Sequence, residues 1–194
     1  MDSLKDYLNK DVIIIIFEFF INGNDYDPFT LDDIKLLSKK ITKWDECAQW
    51  ASKKGHLEIL EYISSFEKSI DWIICMEHSS FYGYTECVDF ILHGVLKGCI
   101  ETKDYYNCFD KALGGGNVKT VMLLEPAQDE DRKPVWESYM CYAAIHKRLE
   151  VVKYFGEKVV DLGIQYADKD WYIEEAEEGG DPLIIEYIEN MFDW

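Results

Sequence analysis

Three cysteines recur at similar positions along the chain and are the first candidates for chemistry: Cys47, Cys75 and Cys108. Such thiols could act as nucleophiles or as zinc ligands. However, the six cysteines of the chain include no CxxC pair and no zinc-type spacing with histidine. The three share one position of an internal repeat, which would space them along the molecule. We therefore expect free, buried thiols in a reducing compartment.

The other candidates for catalysis have simpler interpretations. Gly114-Gly115-Gly116 is as rich in glycine as a phosphate-binding loop, but no Lys-Ser/Thr follows it and no strand is predicted before it. We interpret it as a turn between two helices. Carboxylates are so frequent that no pair of them indicates general acid-base catalysis. The sequence therefore predicts a non-enzymatic protein with no catalytic residue, cofactor or metal site.

The charge of the chain restricts its partners. It has 38 acidic residues against 20 Lys and Arg, a formal net charge of −18. Phosphate backbones and anionic membrane surfaces repel such a polyanion, so we expect neither nucleic acid nor membrane as a partner. A basic protein partner and mimicry of a nucleic acid remain open. The simpler alternative is that the charge keeps an aromatic-rich chain in solution.

The most apolar run, from Val12 to Ile21, is interrupted by Glu18 and is about half as long as a bilayer requires. Acidic residues precede it and no small-residue cleavage site follows it, so it does not resemble a signal peptide. We expect a cytoplasmic protein that is a monomer.

Five segments of the chain align with one another and predict its architecture. Their first residues are separated by 28, 33, 31 and 33 positions and are Gly55, Gly83, Gly116, Lys147 and Gly180. Apolar residues lie five and eight positions after each start, and also four positions after it except in the third copy, which has Thr120; a small residue lies four positions before each start. This spacing predicts two amphipathic helices joined by a tight turn. Such a hairpin cannot bury its apolar face alone, so the copies must stack.

The central segment of an ankyrin repeat reads A-A-x-x-G-H-L-E-V-V, and this chain resembles it at Ala51-Ser52-Lys53-Lys54-Gly55-His56-Leu57-Glu58-Ile59-Leu60. No copy has the T-P-L-H opening, and the pattern is similar to the degenerate ankyrin proteins of large DNA viruses. The resemblance covers residues 44–192. It implies an all-α, ankyrin-like solenoid of about five repeats over residues 44–194, with short loops in place of inter-repeat β-hairpins. It also implies that the side chain at the position of His56 forms a hydrogen bond with backbone between neighbouring repeats.

Residues 1–43 do not carry the repeat. We predict a helix over 11–21 and a second helix that opens with a Thr30–Asp33 capping box and runs to about Lys43. The simpler interpretation is an N-terminal helical cap that covers the first repeat. The alternative is a degenerate F-box-like segment, which Leu8-Asn9-Lys10-Asp11-Val12 resembles although Asn9 replaces the usual proline.

The ankyrin resemblance implies a binding site on the concave side, which inner helices and inter-repeat loops form in that family. The candidate contact residues are Lys53, Lys54, Phe81, Tyr82, Tyr106, Glu137 and His146. Exposed aromatic rings make good anchors, although these rings could instead cover neighbouring helices. We expect a protein-protein interaction module, whose partner is a host protein if the chain is viral. The alternatives are an F-box-like substrate adaptor for a cullin ubiquitin ligase and a self-assembling viral structural protein.

Overall fold

The computed structural model describes residues 29–39, 41–67, 69–125, 135–161 and 169–191. All regular secondary structure in these ranges is helical, which confirms the predicted all-α class. The first half contains α1 (Leu31–Leu37), α2 (Trp44–Lys54), α3 (Leu57–Ser64), α4 (Trp72–Tyr82) and α5 (Thr85–Asp89), which continues as a π-helix over Phe90–Val95. The second half contains α6 (Thr102–Gly115), α7 (Val118–Leu124), α8 (Trp136–Ile145), α9 (Leu149–Asp161), α10 (Lys169–Gly179) and α11 (Pro182–Met191).

The helices from α2 onward form five pairs in two layers. Within each pair the two helices contact each other, from α2 with α3 to α10 with α11. The first helices contact one another in chain order, and we call α2, α4, α6, α8 and α10 the first-helix layer. The second helices also contact one another in chain order, and α3, α5, α7, α9 and α11 form the second-helix layer. Contacts between sequence neighbours of this kind are typical of repeat-like folds.

Each pair is joined at a residue in the left-handed backbone region, as the sequence predicts. Four of these residues are glycines, with φ of 75° at Gly55, 78° at Gly83, 84° at Gly116 and 70° at Gly180. Lys147 takes the same conformation with φ of 60°, although it has a β-carbon. The turn geometry therefore persists at the one copy in which glycine is replaced.

The two layers meet over small and apolar side chains. The small residue four positions before each turn is completely buried in all five pairs: Ala51, Ser79, Ala112, Ala143 and Ala176. Such residues let two helices approach closely without leaving a cavity. Cys47, Cys75 and Cys108 are completely buried and free, so the prediction that they are core thiols is confirmed.

Helix α1 begins as predicted but ends early. Asp33 N–H donates to Thr30 Oγ1 at 3.4 Å, and Thr30 N–H donates to Asp33 Oδ2 at 3.0 Å, which completes the capping box. The prediction that the helix runs to about Lys43 is wrong, because it ends at Leu37. The hydroxyl of Ser38 donates to the carbonyl of Lys35 at 2.8 Å, a local bond that competes with continuation of the helix.

Helix α1 contacts α3 and so lies against the second-helix layer. The helix predicted over 11–21 and the segment that resembles an F-box lie outside the described residues. Within the described ranges, no helix combines the length and the apolar character that crossing a membrane requires.

Candidate functional site

Exposed aromatic side chains are concentrated on the first-helix layer. Phe81 and Tyr82 at the end of α4 are 42% and 53% exposed, and Tyr106 of α6 is 38% exposed. Their rings are held against other aromatic rings, with 5.2 Å between the centroids of Phe81 and Tyr82 and 6.5 Å between those of Tyr82 and Tyr84. These contacts favour a defined orientation of the exposed rings.

A groove of about 400 Å³ crosses three consecutive helices of the same layer. Among the described residues, its lining comes from α4, α6 and α8 and consists of Glu77, Asn107, Asp110, Lys111 and Tyr142. The groove thus combines two carboxylates, an amide, an ammonium group and a phenol ring. Sequence reasoning did not select these five residues. The repeat alignment could have found them, because they lie five, six or nine positions before their turns.

The groove and the exposed rings are electrostatically connected. Burial raises the pKa of Asp110, although the ammonium group of Lys111 opposes the shift. Burial, and then the charge of Asp110, raises the pKa of Tyr142. Burial also raises the pKa of Tyr139 to about 12, with further contributions from Tyr106, Asp110 and Glu125. Tyr106 and Asp110 lie on α6 and Tyr142 on α8, two consecutive helices of the first-helix layer.

Two lysines flank a partly buried histidine on the same layer. Burial, Lys53 and Lys111 together lower the pKa of His78 to about 4, so its imidazole is neutral at physiological pH. Lys53 is exposed, whereas Lys54 is half-buried. The positive charge at this surface therefore comes from α2 and α6, beside the acidic groups of the groove.

The remaining predicted contact residues have different surroundings. Glu137 is half-buried, and its Oε1 accepts a hydrogen bond of 2.6 Å from the Tyr172 hydroxyl of α10. It therefore connects α8 to the next helix of its layer. His146 is exposed, and its ring lies 4.4 Å from the ring of Tyr142. The structure thus places His146 against Tyr142, which lines the groove, and places Glu137 in a contact between helices.

Glycine brings two pairs of helices in this layer into backbone contact, α4 with α6 and α8 with α10. A β-carbon on Gly115 would lie 2.1 Å from the carbonyl oxygen of Phe81, and one on Gly179 would lie 2.4 Å from that of Ala144. No side chain can occupy such a position without moving the backbone. Gly115 therefore sets the distance between the end of α6 and the residues that carry the Phe81 and Tyr82 rings.

The surface offers aromatic anchors, two carboxylates and ammonium groups, a combination suited to binding the side chains of another protein. Within the described ranges, no three His, Cys, Asp or Glu side chains are grouped so that they could hold a metal ion. No protein-family model matches the chain, and comparison with curated proteins and with solved structures gives no match.

Proposed function

We propose that this chain is an ankyrin-like solenoid that binds another protein through its first-helix layer. The resemblance of its repeats to ankyrin proteins of large DNA viruses favours a host protein in the cytoplasm as the partner. The net charge of −18 favours a partner with a basic surface.

The bonds between consecutive turns support the ankyrin-like part of the proposal. In two of the later copies, the residue after the turn bonds the backbone of the preceding copy. Asn117 Nδ2 donates to the Gly83 carbonyl at 3.2 Å, and Arg148 Nε donates to the Gly114 carbonyl at 2.6 Å. The ankyrin resemblance implies bonds at this position, and these two connect the third and fourth units to the units before them.

One observation carries the binding part of the proposal: exposed aromatic rings lie on the same three consecutive helices that line a polar groove. Phe81, Tyr106 and Tyr142 are 42%, 38% and 37% exposed, and Tyr142 lines the groove itself. Exposed aromatic area of this kind is what a partner can remove from water on binding, and aromatic residues dominate the energetics of protein interfaces.

The test compares two triple variants of the full chain in affinity capture from eukaryotic cytosol, read by mass spectrometry. The first is Phe81→Ala/Tyr106→Ala/Tyr142→Ala. The matched control is Met122→Ala/Val160→Ala/Leu183→Ala, which removes side chains that are 56%, 46% and 61% exposed on the second-helix layer. Circular dichroism and thermal unfolding verify that both variants are folded.

We expect a protein that the wild type and the control variant recover but the first variant loses. Equal recovery of that protein by all three chains would contradict binding through the first-helix layer. Recovery of a cullin with its adaptor would instead favour the F-box-like alternative. Sedimentation equilibrium tests the third function: we expect a monomer, and association that grows with concentration would favour self-assembly.

A further inference from the structure

A second groove, of about 660 Å³, crosses the second-helix layer. Its apolar part is formed by Leu57 of α3, Phe90 at the start of the π-helix and Leu123 of α7, all of which are half-buried against the core. Its exposed part carries the carboxylates of Glu61, Glu86 and Asp89. The groove therefore spans three consecutive repeats on the opposite layer from the aromatic surface.

The π-helix shapes this groove. The amide of Leu96 donates to the carbonyl of Ile91, five residues earlier, at 2.8 Å, so the turn is wider than an α-helical turn. Within it, a β-carbon on Gly94 would lie only 3.1 Å from the ring of Phe90. Glycine at this position therefore lets the Phe90 ring lie along the helix surface, where it lines the groove. Short π-helical turns occur frequently at functional sites.

The groove has an acidic electrostatic field. Burial, followed by the charges of Glu86, Glu58 and Glu61, raises the pKa of the buried Cys87 thiol of α5 to about 12. Glu61 of α3 and Glu86 of α5 both line the groove, so carboxylates from two consecutive repeats lie together at its rim. The carboxylates of Glu58, Glu61 and Glu86 are in no ion pair with another described residue. The described lining includes no Lys or Arg, and His93 lies 2.9 Å from Asp89.

We propose that this groove is a second binding site, which takes a cationic amphipathic helix of a protein partner. Apolar side chains of that helix pack on Leu57, Phe90 and Leu123, while its Lys or Arg side chains pair with Glu61, Glu86 and Asp89. Charge complementarity selects this occupant. Nucleic acids and anionic lipid surfaces are repelled by the rim, and a second copy of the chain also carries a net charge of −18. A helix with one apolar face matches a groove that is apolar at its base and acidic at its edge.

The test is a fluorescence-anisotropy titration of the full chain with a labelled synthetic peptide of Leu and Lys in helical spacing, about 18 residues long. A peptide of the same composition in scrambled order tests the need for an apolar face. A peptide with Glu in place of Lys tests the need for positive charge. Sedimentation measured in parallel shows whether copies of the chain associate through the groove instead.

Two charge-reversal variants distinguish local recognition from the overall charge. Glu61→Lys/Glu86→Lys/Asp89→Lys changes the rim of the groove. The matched control, Glu157→Lys/Glu186→Lys/Glu189→Lys, makes the same change in net charge at exposed residues of α9 and α11, in the same layer. We expect the first variant to weaken peptide binding by about tenfold or more and the control by about threefold or less.

The proposal would be overturned if both charge-reversal variants weakened peptide binding equally, or if the scrambled peptide bound as tightly as the helical one. It would also be overturned if the chain associated with itself and the rim variant abolished that association. Leu123→Ala tests the apolar contact separately and should weaken binding even at high salt, where the ion pairs are screened. Failure of this test would not contradict the proposed function, because the two proposals concern opposite layers. Phe81→Ala/Tyr106→Ala/Tyr142→Ala changes the first-helix layer and leaves the second-helix layer unchanged. Full peptide affinity in that variant is expected.

Discussion

The ring of Tyr84 covers Gly55, the turn residue of the preceding repeat. A β-carbon placed on Gly55 would lie 2.4 Å from Cδ1 of that ring. The same relationship recurs along the chain, because Asn117 covers Gly83 and Arg148 covers Gly116. Gly55, Gly83 and Gly116 therefore have two roles: each supplies a positive φ, and each leaves room for a side chain of the next repeat.

Gly55→Ala should lower the free energy of unfolding more than Gly180→Ala. Both substitutions place a β-carbon in the left-handed region, which costs about 1–2 kcal/mol. Only Gly55→Ala also displaces a ring, for a total of about 2–4 kcal/mol. Gly180 is the matched control, since the nearest atom to its added β-carbon is Glu177 O at 3.7 Å. Urea unfolding measures both, and equal losses would show that the Tyr84 contact is unimportant.

Lys147→Gly should stabilise the chain. Lys147 is exposed and has φ of 60°, so glycine relieves a backbone conformation that a β-carbon disfavours. The larger entropy of glycine in the unfolded chain offsets part of the gain, and we expect about 0.5–1 kcal/mol. The control is Lys153→Gly inside α9, which should destabilise by about 1 kcal/mol. Thermal unfolding of both variants gives the comparison, and a loss at Lys147 would contradict the strain argument.

Glu125 connects the third repeat to the fourth through several hydrogen bonds. Its carboxylate accepts from Trp136 Nε1 at 2.9 Å, from the Tyr154 hydroxyl at 2.5 Å and from Lys158 Nζ at 2.6 Å. The side chains of Glu125 and Lys158 are only 13% and 27% exposed. Burial alone would lower the pKa of Lys158, but its bonds with Glu125 and Tyr154 outweigh burial and raise it.

Glu125→Ala should therefore destabilise the chain by about 2–4 kcal/mol, because it leaves Lys158 and Tyr154 largely buried without their acceptor. Glu150→Ala is the control. It breaks the exposed Lys153–Glu150 pair, whose side chains are 40% and 69% exposed, and it should cost less than about 1 kcal/mol. Denaturant unfolding at neutral pH separates the two. Similar losses in both variants would show that burial adds nothing to the Glu125 pair.

Buried thiols should make the fold sensitive to alkali. Burial raises the pKa to about 12 at five cysteines: Cys47, Cys75, Cys87, Cys108 and Cys141. Above the usual thiol pKa of 9.0 the unfolded chain loses these protons while the folded chain keeps them. Stability is therefore complete below pH 9 and falls as the pH rises toward 12, by about 1.4 kcal/mol per pH unit for each thiol at most.

Urea unfolding of the reduced protein between neutral pH and pH 10.5 measures this slope. Cys108→Ala removes one buried thiol and should make the alkaline decline shallower. Cys99 is exposed, so Cys99→Ala is the matched control and should leave the decline unchanged. Identical slopes in Cys108→Ala and the wild type would contradict the contribution of the buried thiols.

Features that depend on nearby residues could be predicted from the sequence. The left-handed turn at Lys147 follows from its place in the repeat, even though the residue is not glycine. The burial of Cys47 follows from the same periodicity. The π-helix after Asp89 could not be predicted, because the pattern of apolar residues does not distinguish a wider turn from an α-helical one. The end of α1 at Leu37 was not predicted either, because the apolar periodicity does not reveal the bond from the Ser38 hydroxyl to the Lys35 carbonyl, which competes with continuation of the helix.

The sequence by itself determined that the chain is all-α, where its helix pairs turn and which small residues and thiols are buried. Helical periodicity and turn chemistry act over a few residues, so they can be read along the chain. The tertiary structure alone decided that Glu77, Asp110 and Tyr142 share one groove, and that Glu125 bonds Lys158, 33 positions away. Those relationships depend on how neighbouring repeats are placed against each other. That placement follows from close packing, such as Tyr84 over Gly55, which no local pattern specifies.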